Sequence, residues 1–161
     1  MLTLFQYNWQ VREDWFSWCE GISEEELLKQ RVGGPGSLLY TLFHIVDVEY
    51  SWLVGLQGKE EPEEPPFEHY ATLQKVKQLS HEYHMEVVRP FVKAWTDDME
   101  AQTLSETNAN GETISFRHGE VMRHVIAHEI HHVGQLSVWA REIGKPPITA
   151  NLINRGLFDK Q

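Results

Sequence analysis

Four of the nine histidines in this sequence fall within nine positions, at His124, His128, His131 and His132. Imidazole is the side chain that binds divalent metals as a neutral ligand and moves protons near neutral pH, so this density raises the question of a metal or proton-transfer site. On a helix that turns by about 100° per residue, Val121, Val125, His128, His132, Trp139 and Ile143 share one stripe, so two of the histidines occupy core positions. Imidazoles at i and i+4 are neighbours on a helix and can converge on one ion.

A lone buried histidine is ordinarily satisfied by a carbonyl or a carboxylate. Two on one core stripe need partners for four ring nitrogens, whereas a metal takes one lone pair from each and leaves the other N–H for outer acceptors. Both readings stay open on spacing alone. His124 and His131 lie toward one flank of the stripe, His131 further out, which suits pocket-lining, outer-shell or surface roles.

A second polar stripe, Tyr40, His44, Asp47 and Ser51, runs along an otherwise apolar segment. It faces either solvent or an internal polar site, and periodicity does not decide which. Asp47, Glu49 and Glu129 either orient histidines and transfer protons or lie on the surface. Cys19 sits among aromatics with no basic neighbour and reads as core, not as a nucleophile. Trp9, Trp52 and Trp139 either line a pocket or are plain core.

These residues need elements to hold them. The chain has 161 residues, 41% of them hydrophobic, which fits one domain over 1–161. One cysteine excludes an intramolecular disulfide, and the lack of a leader or a long apolar run makes a cytoplasmic location the expectation. With 24 acidic against 14 basic residues the net charge is -10, which opposes nucleic-acid and anionic-membrane partners.

Apolar spacing predicts helix one over Leu2 to Glu20, with Leu2, Phe5, Trp9, Phe16 and Cys19 near helical register. Ser23-Glu24-Glu25-Glu26 has the form of a capping box opening a short helix to about Arg31, before the Gly33-Gly34-Pro35-Gly36 break. Helix two is predicted over Ser37 to Leu56, and Lys59 to Pro66 as a solvated loop. Helix three is predicted over Tyr70 to Trp95, with Leu73, Val76, Leu79, Tyr83 and Val87 on one face and a kink at Pro90. Between Gln102 and Phe116, β-favouring residues around Asn110-Gly111 predict a short exposed hairpin. Helix four is predicted over His118 to Ile143, stopped by Gly144 and followed by a partly ordered tail.

The segment His128-Glu-Ile-His131-His132-Val-Gly134-Gln135-Leu136, preceded by Gly119-Glu120 and His124, resembles the DinB/YfiT-like family. Leu42-Phe-His44-Ile-Val-Asp47-Val-Glu49 resembles that family's helix-two motif. The resemblance spans nearly the whole chain and implies an all-α four-helix bundle with an up-down-down-up core and a short β-hairpin before the last helix. It also implies homodimers and a three-histidine site for a divalent metal ion, zinc or nickel, whose ligands here are His44, His128 and His132. Similar proteins include transferases and isomerases that use low-molecular-weight thiols, so a small-molecule thiol is the implied substrate. A metal-dependent hydrolase, or a stress-associated metal-binding bundle without turnover, are the rival readings. One departure is Val133, which stands where relatives commonly carry a basic residue.

Overall fold

Four long helical segments carry the fold: α1 (Leu2–Cys19), α3 (Leu38–Gly55), the composite of α4 (Leu73–Tyr83) and α5 (Arg89–Ala94), and α7 (His118–Glu142). The structure, a computed structural model, describes residues 1–59, 63, 65–107 and 110–158. Half of the Lys59 to Pro66 loop expected from sequence therefore lies outside the described residues, at 60–62 and 64. Two short helices, α2 (Glu24–Leu28) and α6 (Asp97–Glu100), and a strand pair, β1 (Thr103–Thr107) and β2 (Thr113–Arg117), fill the connections.

Local signals explain where the helices start. Ser37 is extended and its Oγ accepts from the Tyr40 N–H at 3.1 Å, opening α3, while Ser23 does the same for α2 through the Glu26 N–H. At the start of α7 the Arg117 N–H donates to Glu120 Oε2 at 2.8 Å. That helix stops where Gly144 turns to φ 74° and the Lys145 N–H reaches back to the Ala140 carbonyl.

Both α1 and α3 pack against α7 and α4, so α1 and α3 stand at opposite corners of the bundle. The core divides into two apolar clusters. One holds Val11, Trp15, Phe16, Leu39, Phe43, Val46, Val76, Leu79, Leu136 and Trp139; the other holds Phe5, Leu53, Val88, Val92, Val121, Met122 and Val125. Chain direction follows from this division. The segments α1 and α7 run from the second cluster to the first, and α3 and α4–α5 from the first to the second, which is the up-down-down-up arrangement. Buried polar residues lie between the clusters on every long helix: Asn8 and Arg12, Asp47 and Glu49, Ser80, then Glu129 and His132.

The break in the third helix differs from expectation. Residues His84–Val88 form a π turn in which the Arg89 N–H bonds the His84 carbonyl five residues back. The extra residue moves the buried position from Val87 to Val88, so the register is already shifted before Pro90. On α1 the buried face is Phe5, Asn8, Arg12, Trp15, Phe16 and Cys19, with Leu2 exposed and Trp9 half-buried.

The hairpin pairs Thr103 with Arg117 and Thr107 with Thr113. That register leaves residues 108–112 as the connection, longer than a two-residue turn at Asn110-Gly111, and 108 and 109 lie outside the described residues. Leu104 and Phe116 pack against the second cluster, Phe116 edge-on to Trp52 at 5.9 Å. The tail is docked instead of loose: Trp18 Nε1–H donates to the Pro146 carbonyl, Tyr7 Oη–H to the Ala150 carbonyl, and Arg155 pairs with Asp14. Positions 159–161 lie outside the described residues. Among the described residues no helix is long and apolar enough to cross a membrane.

Candidate metal centre

Because α3 and α7 pack side by side, the polar stripe of one meets the histidine stripe of the other. His128 Nε2 lies 3.1 Å from His44 Nε2 and 3.0 Å from His132 Nε2. One ligand nitrogen from each of the three histidines falls within 4.8 Å of both others, and the group contains no carboxylate or thiol. His132 is buried and the other two are half-buried, so the cluster sits at the bundle's edge with a path to solvent.

The nitrogens face one another without enough hydrogens to go round. His132 Nδ1 lies 2.7 Å from Gln135 Oε1, an oxygen that only accepts, so Nδ1 carries the hydrogen and Nε2 offers a lone pair. The Gln135 amide N–H in turn donates to His131 Nε2 at 3.0 Å, which fixes the direction of the amide. His128 Nε2 must then serve both neighbours. If it carries a hydrogen it can point at one of them; if it does not, two lone pairs oppose each other 3.0 Å apart. A cation accepts all three at once. Ion–imidazole bonds of about 2.0–2.1 Å set ligand nitrogens about 3.3 Å apart, within a few tenths of an ångström of the His128–His44 and His128–His132 separations.

Electrostatics keeps these rings in the ligand form. Burial first, and the neighbouring His132 and His44 second, push His128 down to about 3. Burial lowers His44, helped by His132, and burial also lowers His132. All three are therefore neutral at physiological pH, with lone pairs free for a metal.

The remaining sequence candidates divide. His124 and His131 are exposed; His124 stands edge-on to Trp52 at 5.7 Å and 5.9 Å from the His128 ring, while His131 is bound to Gln135. Trp139 is core and its Nε1–H reaches the Val32 carbonyl, whereas Trp9 and Trp52 are half-buried. Cys19 is fully buried and its thiol is pushed up to about 12 by burial.

Surface placement of Asp47, Glu49 and Glu129 is corrected: all three are buried. Glu49 and Glu129 turn to Arg12, which donates Nε–H and Nη2–H to Glu129 and Nη1–H to Glu49 Oε2 at 2.7 Å. Trp9 Nε1–H donates to the second Glu49 oxygen. Burial alone would lower the Arg12 pKa, but the two carboxylates outweigh it and raise it above its ordinary value. Asp47 lies near Tyr83, whose hydroxyl is pushed up to about 12 by burial and then by Asp47. Sequence reasoning missed Arg12 as a buried charge and Gln135 as a partner of the histidines. The signal for Gln135 was its spacing, four residues after His131 and three after His132.

Comparison with known proteins gives concordant results. The family model described as DinB family matches residues 1–155. A protein of Bacillus subtilis strain 168, described as uncharacterized protein YizA, is 46% identical over 157 residues, covering 98% of this chain and 96% of that one. A crystal structure of a DinB-like protein from Bacillus cereus ATCC 10987 superposes with a TM-score of 0.62 at 18% identity, covering 91% of this chain and 94% of that one, a likeness of fold.

Proposed function

The chain belongs to the DinB family, and we propose that it is a metal-dependent enzyme whose His44, His128 and His132 hold one zinc or nickel ion and whose substrate is a small-molecule thiol. The observation that carries this reading is the opposition of three imidazole nitrogens, only some of which can be satisfied by one another. When bound, an ion held only by neutral ligands supplies Lewis acidity at its open positions, which draws an anionic donor and lowers the pKa of a thiol or water there. Zinc and nickel both suit imidazole.

The chain's own residues support substrate-derived nucleophilicity. Cys19 is buried with its thiol held protonated, so it takes no part. Gln135 holds the hydrogen of His132 on Nδ1, leaving Nε2 for the ion. His124 and Trp52 form an aromatic wall beside His128 against which an organic group can rest.

Metal analysis of tag-free protein tests the site: about one ion per chain is expected, and near-zero metal in both wild type and a His128→Ala/His132→Ala variant would remove the claim. Titrating cobalt-loaded protein with a small thiol tests the substrate class. A thiolate-to-cobalt absorption band is expected, and its absence together with ester hydrolysis that needs no thiol would favour the hydrolase reading. The homodimer that the family resemblance implies is likewise a proposal for this chain, checked by sedimentation.

A further inference from the structure

The glycine loop before α3 packs onto the last turns of α7, next to the residue that orients His132. Trp139 Nε1–H donates to the Val32 carbonyl at 3.3 Å, and Arg31 pairs with both Glu26 and Glu142. Gly34 has φ 54°, and a Cβ built on it would lie 2.6 Å from Gln135 Oε1, 3.0 Å from Gln135 Cδ and 3.1 Å from Trp139 Cη2. A Cβ at position 34 would have to displace the Gln135 amide from the place where its oxygen meets His132 Nδ1 and its nitrogen meets His131.

We infer that Gly34 and Gln135 form a positioning latch, in which a loop outside both ligand-bearing helices fixes the ring tautomer of His132 so that Nε2 faces His44 and His128 as a lone pair. A histidine with the hydrogen on Nε2 points N–H at the place where a cation would sit and cannot bind it. The direction of one amide therefore decides whether three histidines or two are available. Partners of this kind set both ring orientation and ligand basicity, and losing one typically lowers metal affinity by about 10–100-fold. This inference rests on the metal site proposed above, but the tautomer is a property of the metal-free protein and is tested separately from binding.

The test uses the full chain with ¹⁵N-labelled histidine, metal-free, with the His132 signals assigned by their loss in His132→Ala. Wild type is expected to show the Nδ1–H tautomer for His132. Gly34→Ala and Gln135→Ala are each expected to lose it and to bind zinc at least tenfold more weakly, whereas Gln135→Glu keeps an acceptor oxygen at that place and retains the tautomer. Gly33→Ala is the control for backbone strain, since Gly33 also has positive φ (85°) but nothing within 4 Å of its added Cβ; it should leave tautomer and affinity unchanged. An Nε2–H tautomer in wild type, or a Gly34→Ala protein that keeps the Nδ1–H form, would overturn the latch. So would equal losses of affinity in Gly33→Ala and Gly34→Ala. Should wild type bind no zinc, the proposed function fails while the tautomer comparison still decides the latch.

Discussion

Two groups of polar side chains lie between the apolar clusters of this bundle, one fully buried and one at its edge, and they are satisfied in opposite ways. Arg12, Glu49 and Glu129 tie α1 to α3 and α7 with bonds of 2.6–2.9 Å, and Trp9 occupies the remaining Glu49 oxygen. Every partner that group needs comes from the protein. His44, His128 and His132 lie on the same two helices, α3 and α7, yet bring lone pairs together with no donor able to serve them all. Burial of polar groups is tolerated when they are paired, and a partly buried set of ring nitrogens with fewer hydrogens than lone pairs suits a cation. The contrast separates a cluster whose partners all come from the protein from one that could hold a metal ion.

The largest effect is expected at the paired cluster. Arg12→Met leaves two carboxylates facing each other in the interior, and removing one member of a buried ion pair costs about 3–5 kcal/mol. Urea unfolding should show this loss with the slope unchanged. Adding Glu49→Leu and Glu129→Leu should restore much of it, because apolar groups of similar volume replace buried ion pairs at little cost. If Arg12→Met costs under about 1 kcal/mol, the cluster is not the structural member of the pair.

The next effect belongs to the histidines and has the opposite character. Truncating His128 should change the stability of metal-free protein little, since no complete set of bonds is lost. Wild type should gain about 2.7 kcal/mol when free zinc or nickel stands at a hundred times its dissociation constant, seen as a rise in Tm. A His128→Ala protein should show no such rise, and a chelator should return wild type to the metal-free value. Equal responses in both proteins would erase the distinction between the clusters.

The two clusters also differ in how far the sequence disclosed them. Helix period places His128 and His132 together on the core stripe, because α7 is long and regular from His118 to Glu142, and the family resemblance then singles them out as ligands. The place of His44 came from family resemblance, since the stripe of Tyr40, His44, Asp47 and Ser51 is equally compatible with solvent until the neighbour of α3 is known. Arg12 was illegible for a physical reason. A charge is placed inside only when its counter-charges are there, and those sit 37 and 117 residues away. Aromatic side chains all round α1 hid its buried face as well. Tail docking depends on Asp14, Tyr7 and Trp18 meeting residues more than 120 positions distant, which no local pattern encodes. The π turn at His84–Val88 escaped because periodicity assumes a constant turn, and Val88 in place of Val87 is what one extra residue produces.

The smallest effect per step is a slope with pH, and its sign follows from His128. Its folded pKa, about 3, lies below the ordinary value of 6.5, so between those limits the unfolded chain binds a proton that the folded chain does not. Stability from this group is therefore complete above about pH 6.5 and falls as the solution is acidified toward 3, by at most about 1.4 kcal/mol per pH unit. His128 is half-buried, so solvent screening makes the real slope shallower. His44 and His132 shift the same way and add to it. Carboxylates titrate in part of this range too, which is why the informative quantity is the difference between metal-free wild type and His128→Ala across pH 4–6.5. Wild type should lose stability faster on acidification. Zinc should steepen its slope further, because each histidine freed from the ion takes up a proton. Superimposable slopes for the two proteins would mean that the His128 ring is as free to take a proton in the folded state as in the unfolded one, and the cluster would then not be the partner-starved member of the pair.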